Sequence, residues 1–185
     1  MCTKTAEGSK AESSDLPLAP NVHVSTHPVL AHKITILRSS STLPSAFRSV
    51  LREVTYHLGY EATSDLSTRP VDITVANGKE QLETVGSKLK ERIAMIPVMR
   101  SGLGMVDSML ELLPNAGIHH IGMYKKQGTI PVQYYNRLPR KCEADVAYVL
   151  DPLIATGTTT MSVIGILKKV RSCFSLTPSL SCHQL

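Results

Sequence analysis

At 185 residues, with 42% hydrophobic and 19% charged content, the chain is long enough for one domain with a sizeable core and too short for two. Aromatics at 4% without Trp suggest an aliphatic α/β core, and no run of about 18 apolar residues marks a membrane span. A formal charge of +5 favours an anionic substrate, but no dense Lys/Arg block with interleaved aromatics points to nucleic acid.

Residues 1–21 mix Ser, Ala, Glu, Lys and Pro with little to bury, and read as a disordered extension before a domain over 22–170. Val22 to Arg38 begins extended, passes His27-Pro28, and is expected to turn helical over Val29 to Leu37. Ser41 and Thr42 before Pro44 give a helix start signal, after which Phe47, Val50, Leu51, Val54 and Leu58 recur on one helical face. Val71, Ile73 and Val75 then alternate with polar residues, Asn77-Gly78 follows, and Lys79 to Val85 alternates again, the pattern of a β-hairpin.

Ile93 to Met99 is an apolar run suited to a buried strand, ending in Arg100, Ser101, Gly102, Leu103 and Gly104. The helix beyond places Leu103, Val106, Met109, Leu110 and Leu113 on one face and stops at Pro114. An arginine at a strand end beside two glycines suits a pyrophosphate, because glycine admits close backbone approach and guanidinium bonds phosphate oxygens in pairs. By itself such an arginine is more often a solvated charge. Ile118 to Tyr124 reads as a third strand, ending in Lys125 and Lys126, and Thr129 to Arg140, rich in Pro and Tyr, reads as a flap or short hairpin.

Val146 to Leu150 is a short β-branched and aromatic run, the mark of a central parallel strand. Asp151 ends it; Pro152, Leu153 and Ile154 lead to Ala155, Thr156, Gly157, Thr158, Thr159 and Thr160, and a helical run from Met161 to Lys169 follows. Unpaired N–H groups at a helix start hold a phosphate dianion, and threonine hydroxyls add donors. A bare helix cap is the bland alternative for these threonines. The acid at the strand end shifts the balance, since it can grip the hydroxyls of a sugar whose 5′-phosphate lies in the turn. About 50 residues separate the two corners, and one parallel α/β unit would put both on the same sheet edge. Neither a P-loop nor a dinucleotide G-x-G-x-x-G is present.

Four cysteines lack CxxC spacing and seven histidines are dispersed, so no metal site or disulfide framework is expected, and a reducing, cytoplasmic setting fits. His119 and His120 would point to opposite faces of their strand.

These stretches resemble the uracil phosphoribosyltransferases, of the type I phosphoribosyltransferase kind. The resemblance lies in His27-Pro28 with His32-Lys33, Tyr60 to Thr63, Arg100 to Met105 against Arg-Ala-Gly-Leu-Gly-Met, Gly122-Met123-Tyr124, and Asp151-Pro152 with Ala155-Thr156-Gly157. It implies a parallel-sheet core with a hairpin arm that reaches a second subunit, hence a homodimer or higher homo-oligomer. It also implies phosphoribosyl pyrophosphate and uracil as substrates and uridine monophosphate and pyrophosphate as products, in pyrimidine salvage.

By the same resemblance, Arg100 and Asp151 are the catalytic residues, and Mg²⁺ accompanies the substrate. Arg100, Ser101, Gly102 and Lys125 would lie at the pyrophosphate, Asp151 at the ribose hydroxyls and Ala155 to Thr159 at the 5′-phosphate, with Pro152, Leu153 and Ile154 also binding phosphoribosyl pyrophosphate. GTP activates part of that family, and no residue pattern here identifies a GTP site. Lys125 stands where the family carries a pyrophosphate-binding arginine. The tail over 171–185 reads as irregular and lacks the family's Ile-Pro-Gly-Leu-Gly-Asp uracil segment, so the domain is expected to be truncated there. Two alternatives remain. One is a non-catalytic relative that binds phosphoribosyl pyrophosphate or a partner subunit without turnover; the other, weaker, is a nucleotide-binding α/β domain of another kind.

Overall fold

The computed structural model describes residues 22–77, 80–125, 130–139 and 143–169. The expected N-terminal extension, the tail over 171–185, Gly78 of the hairpin turn and all four cysteines lie outside the described residues. The elements in order are α1 (Pro28–Arg38), α2 (Pro44–Ala62), β1 (Thr68–Asn77), β2 (Glu80–Leu89), β3 (Ile93–Met99), α3 (Leu103–Leu112), β4 (Gly117–Ile118), β5 (Ile121–Tyr124), β6 (Val132–Asn136), β7 (Val146–Leu150) and α4 (Thr158–Lys169).

The fold is α/β, built on β3. Its first six residues are buried, as a strand covered on both faces requires. Their side chains alternate: Ala94, Ile96 and Val98 pack with Val163 and Leu167 of α4, while Ile93 and Met95 pack with Met105, Val106 and Met109 of α3 and Leu51 of α2. The sheet therefore lies between α4 and an α2–α3 layer, and α1 closes over Val50, Val54 and Leu58 of α2. β7 runs parallel to β3, Pro97 opposite Leu150, and β5 runs parallel to β3 with Val98 opposite Ile121. All three strands thus deliver their carboxyl ends to one edge.

Several expectations are corrected. The single strand over Ile118 to Tyr124 is interrupted into β4 and β5, which keep one register along β3. His119 N still bonds Met95 O at 2.9 Å, whereas the His120 carbonyl turns to Arg137 N at 3.0 Å, so the two histidines form a break rather than opposite faces of a strand. Of the flap or short hairpin expected over Thr129 to Arg140, whose two end residues lie outside the described ones, the hairpin is what forms: β6 is an antiparallel edge strand paired to β5. Ser41 and Thr42 do not cap α2; Leu43 holds that position without a side-chain bond, and Thr42 Oγ1 instead donates to the Ile36 carbonyl. Phe47 and Leu103, expected on buried faces, are exposed. α4 begins at Thr158, so Thr158 to Thr160 form its first turn rather than preceding it, and Thr156 alone of the four lies before it.

The hairpin β1–β2 is longer than the alternation suggested and forms a two-stranded sheet of its own. Val71, Ile73, Val75 and Leu82 share one of its faces, Val75 lying opposite Leu82, and all four are exposed. His27 caps α1 by accepting from Val29 N at 3.2 Å. Ser25 ties the preceding segment to α2, with its Oγ 2.8 Å from His57 Nε2 and donating to Glu61 at 2.9 Å. These histidines thus have structural employment. Among the described residues no helix is long and apolar enough to cross a membrane.

Candidate active site

A cavity of about 300 Å³ opens at the carboxyl edge of the sheet, lined from three strand ends: Val98, Met99 and Ser101 after β3, Met123 and Lys125 at β5, and Asp151 with Leu153 to Thr160 after β7. Open parallel sheets present ligands at this edge, and the volume lies at the small end of ligand pockets.

Two glycines make the corners. Gly102 is buried, and a Cβ there would strike the Leu150 carbonyl oxygen and come within 2.7 Å of Val98 N. Only glycine lets the loop after β3 lie against the end of β7. Gly157 has φ +70°, the left-handed conformation that glycine adopts without strain. Its carbonyl accepts from Met161 N at 2.8 Å, which starts α4 and leaves the N–H groups of its first turn for an anion.

Asp151 joins the corners. Ser101 Oγ donates to Asp151 Oδ1 at 3.3 Å and Thr160 Oγ1 donates to Oδ2 at 3.2 Å. Burial pushes the Asp151 carboxyl above its ordinary pKa, against the opposing pull of the Leu153 backbone N–H and the Thr160 and Ser101 hydroxyls. Thr156 Oγ1 lies 3.1 Å from Thr158 Oγ1, and Lys125 Nζ donates to Thr158 Oγ1 at 3.0 Å. The arrangement offers one carboxylate for sugar hydroxyls, a helix amino end with two hydroxyls for a phosphate, and an ammonium beside them.

Of the sequence-predicted residues, Ser101, Lys125, Asp151, Leu153, Ile154, Ala155, Thr156, Gly157, Thr158 and Thr159 line this cavity. Arg100 does not; it is exposed one residue before Ser101, after a cis Met99–Arg100 peptide. Gly102 acts as the seat of the corner, and Pro152 is off the lining. The bond from Thr160 to Asp151 was not foreseen, since it depends on where α4 starts. Among the described residues no cluster of three or more His, Cys, Asp or Glu could hold a metal. A larger cavity of about 840 Å³ lies at the opposite edge, lined by the hairpin base, the end of α3 and the start of β3, and contains none of the predicted site residues.

The same stretches carry the likeness to known proteins. The family model for uracil phosphoribosyltransferase matches residues 24–173. A uracil phosphoribosyltransferase from Roseiflexus sp. (strain RS-1) is 41% identical over 151 residues, spanning 80% of this chain and 70% of that protein. One from Thermosipho melanesiensis is 37% identical over 149 residues, with the same two shares. The solved structure of the AQ2163 protein from Aquifex aeolicus superposes with a TM-score of 0.72 at 28% identity, covering 81% of this chain and 71% of that one. The matched span runs through both glycine corners and the Asp151 loop, and on it this chain belongs to the uracil phosphoribosyltransferase family.

Proposed function

We propose that the chain transfers the ribose 5-phosphate of phosphoribosyl pyrophosphate to uracil, giving uridine monophosphate and pyrophosphate. The observation that carries this reading is the meeting of the two corners on Asp151, through Ser101 and Thr160. In the reaction the bond from ribose C1 to the pyrophosphate oxygen breaks while a uracil nitrogen closes on C1 from the opposite face and gives up its proton to solvent. Positive charge develops on the sugar and negative charge on the leaving pyrophosphate, so catalysis rests on alignment and electrostatics.

In this scheme Asp151 takes the ribose hydroxyls and faces the charge at C1. The first turn of α4, with Thr156 to Thr159, takes the 5′-phosphate. Arg100 meets the leaving pyrophosphate as the exposed cation beside the cavity. Mg²⁺ carried by the substrate would supply charge neutralisation of the leaving group, and among the described residues lining the cavity Asp151 is the carboxylate that could face it. The exposed apolar face of the β1–β2 hairpin supports a second copy as partner, because a lone two-stranded ribbon is marginal in water. Four scattered cysteines support a reducing, cytoplasmic setting.

The test is conversion of labelled uracil by the purified chain with phosphoribosyl pyrophosphate and Mg²⁺, with GTP added in one arm as a candidate activator. Label appearing in uridine monophosphate, and lost in Asp151→Asn, is expected. Binding of phosphoribosyl pyrophosphate without turnover would select a non-catalytic binding protein instead.

A further inference from the structure

We propose that Lys125 serves the 5′-phosphate of the sugar rather than its pyrophosphate, so that its ammonium and the amino end of α4 form one phosphate seat. This rests on the reading of the cavity as a site for phosphoribosyl pyrophosphate. By the resemblance, an arginine that meets the pyrophosphate is expected in this place. Here the residue is a lysine, and its side chain is engaged elsewhere.

Lys125 leaves the end of β5 and lines the cavity opposite the α4 turn. Its Nζ donates to Thr158 Oγ1 at 3.0 Å, and the same oxygen lies 3.1 Å from Thr156 Oγ1. Thr158 is the first residue of α4. The ammonium is therefore one hydroxyl away from the N–H groups that would cradle a phosphate. One of its three donors is used by Thr158, and two remain for phosphate oxygens.

Charge balance points the same way. A helix amino end offers about half a positive charge against a phosphate close to a dianion, and among the described residues lining this cavity Lys125 is the cation. An ammonium is a compact point charge suited to one phosphate group, whereas a pyrophosphate is better matched by a planar guanidinium. Arg100 provides that group, exposed next to Ser101 and off the cavity lining.

The experiment is calorimetric titration of wild type, Lys125→Met and Lys125→Arg with ribose 5-phosphate, and separately with Mg²⁺-pyrophosphate. Thermal melts check that the variants fold, as expected for an exposed side chain. In Lys125→Met, affinity for ribose 5-phosphate falls about tenfold or more while that for pyrophosphate changes by less than about twofold. Lys125→Arg recovers part of the loss. The inference is overturned if pyrophosphate binding falls instead, if both fall equally, or if neither changes. Wild type that binds neither ligand overturns the reading of the cavity and the inference with it.

Discussion

Ser101 Oγ stands 3.3 Å from Asp151 Oδ1, so the loop after β3 and the loop after β7 meet through one hydroxyl. Burial raises the Asp151 pKa and the Ser101 hydroxyl opposes that rise. Removing the hydroxyl leaves the carboxylate less supported and raises its pKa further. With ionised Asp151 as the active form, Ser101→Ala moves the acid limb of the kcat/KM profile to higher pH. An acid limb that stays in place contradicts the role given to this contact.

The raised pKa also has a stability consequence. A carboxyl whose folded-state pKa lies above its unfolded value favours the fold while protonated, and this contribution is lost as pH rises through the folded pKa. At neutral pH wild type therefore carries the cost of a half-buried charge. Asp151→Asn is expected to melt higher than wild type at neutral pH, with the difference shrinking in acid, while losing turnover. Thermal denaturation at the two pH values decides it; a variant that melts lower at neutral pH contradicts the account.

Gly102→Ala tests the corner itself. The added methyl meets the Leu150 carbonyl and the Val98 backbone rather than mobile side-chain ends, so the strands must part. Overpacking of this kind costs about 1–3 kcal/mol, and each kcal/mol lowers Tm by about 2–4 °C in a chain of this size. A calorimetric melt unchanged from wild type would show that the corner is looser than described.

The legible parts of the fold were those where one strand or loop decides its own structure. Ile93–Met99 matched its prediction because a strand buried on both faces is apolar throughout. The 151–160 turn was legible because glycine, threonine and an acid at a strand end each have one strong local preference. The rest depended on pairing. His119-His120 break a strand because the His120 carbonyl is taken by Arg137, a partner 17 residues on that no local pattern announces. β6 joins the sheet although all five of its residues are exposed, so it has no alternation to read. Arg100 illustrates the limit at the site: its motif placed it beside the cavity, but the direction of a side chain on an exposed loop is not written in spacing.

The hairpin yields a prediction about assembly. Ile73 lies within the exposed apolar face of β1–β2 and packs over Gly86. Ile73→Asp is expected to turn a dimeric or larger assembly into a monomer in sedimentation velocity, with secondary structure by circular dichroism retained. Wild type that sediments as a monomer at every concentration contradicts a role for this face in self-association.

The most direct measurement of the central claim follows backbone amide shifts while phosphoribosyl pyrophosphate and Mg²⁺ are titrated into the labelled chain. The account predicts that the amides of Ser101, Asp151 and Thr156 to Thr160 move together with a single dissociation constant, while those of Lys88 to Arg92 at the opposite cavity stay in place. Shifts confined to the opposite cavity, or a Ser101 loop that ignores the ligand while the threonine turn responds, would contradict it.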